Sequence, residues 1–251
     1  MRQLRYCVAH TLTGRYALNG KASMESKTIC TFSDYIYEIE ELDDKSELIL
    51  FRGQATEGSL LPSVCRDNPK VNTTKVEKET LDELRRMGGA LVPNSDMSDW
   101  DLLVIAQHFG LKTRLLDWSS NPLAALWFAC SDYKDGDAYV YVLYADEFLH
   151  EQDKGPFDSG QTRVFRPTLN NSRIVAQHGW FTSHKYSSKT RRFVALEKNT
   201  KMKKSVFEIH IPENFRKPLL KALDRHGVNS HTLFPDLEGL CKYLNWRHER
   251  A

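Results

Sequence analysis

The chain has 251 residues, 41% hydrophobic and 27% charged, with 35 basic against 33 acidic side chains and a net charge of +2. Such a length suits one large globular domain or two small ones. The near-balance of charge gives no whole-molecule attraction to nucleic acid or to a membrane, and no apolar run approaches the roughly 20 residues of a membrane-spanning helix. Five cysteines (Cys7, Cys30, Cys65, Cys130 and Cys241) stand without paired spacing. That argues against a zinc finger or disulfide framework and fits thiols in a reducing cytoplasm.

Residues 1–25 read as an N-terminal extension, because Met24 precedes the first well-patterned element and Met1 to Arg15 lacks the apolar core of a secretory signal. Thr31 to Leu42 predicts a short helix with Ser33 as N-cap and Phe32, Ile36 and Ile39 near one face. Leu48 to Phe51 predicts a buried strand ending at Arg52-Gly53, where glycine permits a turn or a close backbone approach. Gly58 to Asn72 reads as loop. Val76, Thr80, Leu84 and Met87 space a charged helix closed by Gly88-Gly89; Glu77, Lys78, Glu79, Asp82, Glu83, Arg85 and Arg86 are expected on its solvated face.

Ser98-Asp99-Trp100-Asp101 resembles a capping box and should open a helix ending near Gly110. Thr113 to Leu116 is a short extended piece. Pro122 suits the first turn of the next helix, behind Ser120 or Asn121 as cap. That helix, Leu123 to Ala129, is apolar all round and so expected at the centre. After a turn at Asp135-Gly136, Ala138 to Tyr144 is a strand. Residues 150–172 read as a long loop, and Ser205 to Ile211 as an alternating strand. Phe215, Leu219 and Leu223 space one helix ending at Gly227, and Leu237, Leu240 and Leu244 a last helix entered through Pro235-Asp236. Strands and helices mix without regular alternation, which predicts a single α+β domain over residues 26–251, its mixed or antiparallel central sheet flanked by helices.

The densest chemistry lies between Gln107 and Trp118. An amide, an imidazole, a guanidinium and a carboxylate (Gln107, His108, Arg114, Asp117) fall within a dozen residues beside apolar ones, and buried polar groups must find partners. They form either a structural network or a site. Arg114 with Asp117 is a buried ion pair or a pair of pocket residues; Arg52 ends a salt bridge or holds an anion. Trp118 and Trp127 suit a core, although aromatics also stack on bases. There is no Walker loop, GxGxxG, HExxH or GxSxG, so no metal is expected.

These residues resemble the FRG domain family, named for a Phe/Tyr-Arg-Gly motif matched by Phe51-Arg52-Gly53. The likeness runs through Gln107-His108-Phe109-Gly110, Thr113-Arg114-Leu115-Leu116-Asp117-Trp118 and Asn121 to Ala129. It continues through Arg173 to Phe181 (a Gln-x-Gly-x-Phe pattern at Gln177) and Phe234 to Leu240, over about residues 30–245. Lys112 stands where the family usually has a small residue or proline. The resemblance implies a bacterial or phage protein and supplies no reaction by itself. Arg52-Gly53 and Leu126-Trp127-Phe128-Ala129 are also similar to segments of ADP-ribosyltransferases. That likeness implies an ADP-ribosyltransferase-like fold, NAD as cofactor, a nucleotide-recognising toxin or phage-defence effector, and a protein or nucleic-acid acceptor.

Transfer of ADP-ribose passes through an oxocarbenium-like state. It needs a grip on the pyrophosphate, for which the arginine fork is suited, and a carboxylate near the anomeric carbon. Arg52 and Arg114 are therefore expected to converge on one pocket as anion ligands. Asp117 or Glu238 would be the acid, and Gly53, Gln54, Gln107, His108, Thr113, Trp118 and Gln177 would line the pocket. Glu238 equally suits the first turn of a helix. A nucleic-acid-binding or protein-interaction module is the alternative, since Lys185, Lys189, Arg191, Arg192, Lys198, Lys201, Lys203 and Lys204 accompany Tyr186 and Phe193 in one basic stretch.

Overall fold

β-Branched and aromatic residues in alternation build the strands at the centre of the molecule. The computed structural model describes residues 24–42, 46–89, 91, 97–132, 135–150, 154–168 and 171–249; the expected extension over residues 1–25 lies, but for Met24 and Glu25, outside them. Strands β1 (Ser26–Thr28), β2 (Ile49–Gln54), β3 (Leu115–Ser119), β4 (Ala138–Tyr144), β5 (Arg163–Phe165) and β6 (Gly179–Ser183) are followed by the small hairpin β7 (Tyr186–Ser187) and β8 (Arg192–Phe193), then β9 (Val206–Ile211). Seven of them form one sheet in the order β1-β9-β4-β2-β3-β6-β5. β1 runs parallel to β9, and the other pairings between described strands are antiparallel. The arrangement is α+β with a mixed sheet, as the pattern of elements predicts.

Period-two alternation places the core on both faces of this sheet. Phe51, Val140, Val142, Ile209 and Ile211 meet helices α1 (Phe32–Glu40), α5 (Pro122–Ser131) and α7 (Glu213–Arg225) on one face. Leu50, Leu116, Trp118, Tyr141, Leu143 and Val206 pack on the other, under Leu60, Phe148, Leu196 and Met202 from connecting segments. A third cluster joins α3 (Thr74–Met87) and α4 (Asp99–His108) to β3 and β6 through Leu81, Leu103, Leu115 and Phe181.

Helix caps place several of these elements. Asn121 caps α5 by accepting from Leu123 N at 2.9 Å, and Pro122 occupies its first turn. Ser98 caps α4 by accepting from Asp101 N at 3.2 Å. Gly110 follows that helix at φ +92°, a conformation glycine adopts without strain.

Several expectations need correction. The cap of α1 is Thr31, in a reciprocal pair with Asp34, rather than Ser33. The loop expected over residues 58–72 contains the single-turn helix α2 (Ser63–Arg66), and the one expected over residues 150–172 contains β5. β3 extends to Ser119, which puts Asp117 and Trp118 inside a strand. Three further short elements, β1, α6 (Ser172–Ala176) and α8 (Ser230–Leu233), precede the final helix α9 (Leu237–His248). No helix among the described residues is long and apolar enough to cross a membrane.

Candidate functional site

The sheet opens between β2 and β3. Their register holds one pair, Phe51 with Ser119, whereas β2 pairs with β4 along its whole length. Arg52, Gly53 and Gln54 lie past the last paired position, and the carbonyl of Asp117 is left for a side chain to satisfy. Arg52 satisfies it: Nη1 donates to that carbonyl at 2.8 Å, and Nε donates to Gln54 Oε1 at 3.2 Å. Gln54 is braced in turn by donating to the Gly58 carbonyl at 3.3 Å.

Gly53 has a separate reason to be glycine. A Cβ there would lie 2.0 Å from the Ala125 carbonyl oxygen and 2.5 Å from Ala129 N. The motif's glycine thus lets β2 rest directly on the backbone of α5, while its arginine reaches across the opening in the sheet.

The Asp117 carboxylate stands 3.7 Å from Arg52 Nη1 and is 62% exposed, whereas the Arg52 side chain is 14% exposed. Burial lowers the Arg52 pKa below the usual arginine value, and Asp117 opposes that shift. On its other side Asp117 accepts from the Gln107 amide. The Thr113 hydroxyl donates to the Gln107 oxygen, which fixes that amide's orientation, and itself accepts from Leu115 N at 3.1 Å. Gln107 and Thr113 are therefore a brace behind Asp117 rather than part of the wall.

Around this point lies a cleft of about 1200 Å³. That is at or above the roughly 300–1,000 Å³ of most small-molecule sites. Its cations are Arg52, Arg66, Arg173, Arg192 and Lys198, against the carboxylates of Glu57, Asp117 and Asp132. Phe128 and Phe234 supply aromatic surface, while Phe51, Trp118 and Phe193 reach the lining almost wholly buried.

At one end, Arg173 is clamped by Asp236 at 2.6 Å and Glu238 at 3.1 Å, with its guanidinium 5.1 Å above the Phe234 ring. His108 lines this end; burial, aided by the Arg173 charge, lowers its pKa below the ordinary imidazole value. Gln177 lines it too, donating to the Leu233 carbonyl at 3.1 Å. Trp118 is nearly all core and donates from Nε1 to Thr182 Oγ1 at 3.0 Å.

Arg114 does not converge with Arg52. Its side chain is 2% exposed, and it donates to both Glu77 carboxylate oxygens at 3.0 and 2.9 Å, with Thr74 Oγ1 at 3.1 Å. Its guanidinium stacks 4.4 Å from the Phe157 ring. The expected partner Asp117 stays with Arg52 and Gln107, while Glu77, expected on a solvated face, is buried. Arg114 is thus a structural cation, because a buried guanidinium needs a matched carboxylate and Glu77 supplies it. Glu238 is exposed on the first turn of α9, joined to Arg173 and to Lys242 at 2.6 Å. It does not line the cleft.

Sequence patterns did not single out Glu57 or Arg66, the latter within the segment 58–72 that reads as loop. Arg192 was visible only as one charge among eight. Among the described residues, no group of three or more His, Cys, Asp or Glu side chains could hold a metal ion.

Residues 47–138 match the family model described as FRG domain, so the chain carries an FRG domain. The matched span is shorter than the 30–245 read from the residues. It covers Arg52, Gly53, Gln54, His108, Asp117 and Trp118 of the cleft, and leaves out Arg173, Gln177, Arg192 and Phe234. No curated protein and no solved structure matches the chain.

Proposed function

We propose, for a chain that carries an FRG domain at residues 47–138, that the cleft binds a nucleotide of the NAD type and supports transfer of its ADP-ribose to a macromolecular acceptor, as a bacterial toxin or defence effector would. One observation carries this reading. The motif's arginine and an exposed carboxylate, Arg52 and Asp117, stand 3.7 Å apart on the wall of a cleft that also offers aromatic surface and further arginines.

In such a transfer, the bond from the anomeric carbon to the nicotinamide nitrogen breaks and neutral nicotinamide leaves with the bonding pair. The acceptor's nucleophile bonds to that carbon and releases its proton to solvent. Arg52 would hold phosphate oxygens through the Nη2 donors, which have no partner among the described residues. Asp117, held by Gln107, would set its negative charge against the positive charge developing on the sugar.

Calorimetric titration of NAD against wild type and Arg52→Ala tests the binding. A charge-assisted hydrogen bond is worth roughly 1.5–3 kcal/mol, so the variant should bind about tenfold or more weakly. Equal binding, or none to either protein, overturns the reading. Asp117→Asn keeps the shape and removes the charge. It should bind NAD within a few-fold of wild type and fail to pass label from NAD to proteins or nucleic acids of a cell lysate.

A nucleic-acid-binding module is the second reading, favoured by Thr190, Arg192 and Lys198, which bring the basic hairpin region to the cleft wall. It predicts oligonucleotide binding that weakens steeply with salt.

A further inference from the structure

We propose that the end of the cleft formed by Arg52, Arg66 and Arg192 is a seat for a diphosphate group, so that the ligand is a nucleoside diphosphate or a dinucleotide rather than a monophosphate or a nucleoside. This deepens the nucleotide reading above and rests on it.

The three guanidiniums come from three elements, the end of β2, the last residue of α2 and the first residue of β8, and all line the same cleft. Arg52 and Arg66 are both held by backbone carbonyls, and of the three only Arg52 is paired with an acid among the described residues, Asp117 at 3.7 Å. Arg66 donates from Nε and Nη2 to one carbonyl, that of Leu61, at 3.3 and 3.2 Å. The acid beside it, Asp67, is taken by Lys112 at 3.2 Å. Arg192 has no side-chain hydrogen bond or ion pair among the described residues.

The hairpin carrying Arg192 is fastened to the segment after α2. Phe193 N donates to the Pro69 carbonyl at 2.8 Å, and the Tyr186 hydroxyl donates to the Lys70 carbonyl at 3.2 Å. Phe193 is 1% exposed and packs with Leu61, Cys65 and Ala195. Arg66 and Arg192 are thus tied to one small core. Arg66 is also close enough to Arg52 for its charge to oppose protonation there.

Three like charges on one cleft, with only the Asp117 carboxylate among the described residues paired to any of them, are costly unless an anion joins them. A single phosphate offers three or four oxygens, and three arginine forks match the larger set of a diphosphate. The same packing speaks against a nucleic-acid strand here, because the buried Phe193 gives no face on which a base could stack.

The test is titration calorimetry of the full chain with inorganic pyrophosphate and inorganic phosphate, on wild type, Arg66→Ala, Arg192→Ala and Arg66→Lys. Both arginines are exposed, and thermal melts should coincide with wild type. Pyrophosphate should bind at least tenfold more tightly than phosphate, each alanine variant should lose about tenfold or more, and Arg66→Lys should recover only part of the loss.

Equal binding of the two anions, no binding of pyrophosphate, or unchanged affinity in the alanine variants overturns the proposal. So does a short oligonucleotide that binds where pyrophosphate does not. Parallel NAD titrations separate the two readings. NAD binding unaffected by Arg66→Ala and Arg192→Ala sinks the diphosphate seat alone. Arginine-dependent pyrophosphate binding without NAD binding sinks the NAD reading alone.

Discussion

Two arginines of this chain, both expected from the sequence at one pocket, have opposite fates. Arg52 faces a wide cleft with a carbonyl, an amide and an exposed carboxylate around it. Arg114 is enclosed with Glu77 in a two-pronged ion pair. Breaking such a buried pair leaves a charge with neither water nor partner, at a cost of roughly 3–5 kcal/mol. Glu77→Gln should therefore lower unfolding free energy by about that much in chemical denaturation, while a Glu77→Leu/Arg114→Leu double variant should lose much less than the sum of the single changes. Additive losses would show that the pair is not coupled. Arg52 was legible because its motif ends an apolar strand. The partnership of Arg114 was not: Glu77 sits in a run of exposed charges, and nothing local marks which acid of that run turns inward across 37 positions.

Among the elements, the contact of β2 with α5 sets the geometry of the site. Gly53 is the point of contact, and a methyl group there would overlap the backbone of Ala125. Backbone cannot rotate away as a side chain does. Gly53→Ala should thus be destabilised by at least the roughly 1–3 kcal/mol of ordinary overpacking, and it should displace Arg52 and weaken NAD binding. A variant with unchanged stability would mean that the two elements are not so closely apposed. The long, strongly patterned elements α3, α4, α5, β4, α7 and α9 could be read from periodicity and caps. β1, α2, β5, α6 and α8, of three to five residues each, span too few positions to show a period. The opening between β2 and β3 was hidden for another reason, since pairing register is a property of two strands and not of either one.

For the whole molecule, the pH response carries information about the layer beneath the cleft. His184 is 1% exposed and shares a hydrogen bond with Thr182 at 3.2 Å. Burial, reinforced by the Arg52 charge, drives its pKa down to about 3. An unfolded chain protonates this imidazole near pH 6.5, but the folded chain does not until about pH 3. The unfolded state therefore binds more protons throughout that window. The stability tied to neutral His184 is intact above pH 6.5 and declines as pH falls, by up to about 1.4 kcal/mol per pH unit. Denaturation curves between pH 7 and 5 should show a steeper loss in wild type than in His184→Gln. Parallel slopes would mean that His184 titrates alike in both states. The α+β class was legible at this scale, because it depends only on the order of patterned segments. The cleft was half legible: the central motifs named Arg52, His108, Asp117 and Gln177, while the far wall, with Arg66 and Arg192, depends on how a remote hairpin docks.

The parallel edge of the sheet bears on how the chain matures. β1 lies beside β9, and Ser26 bonds to Glu208 across 182 positions. β9 also stands between β1 and β4. During synthesis the ribosome must deliver the 182 positions from Ser26 to Glu208 before β9 can join β1, and until then one edge of β4 lacks its partner. Closure of a loop this long is slow, and an unpaired strand edge invites association with other chains. Newly made molecules should accordingly pass their most aggregation-prone moments just before Ile211 emerges, and chaperone capture of chains halted there, compared with chains halted past it, would show this directly.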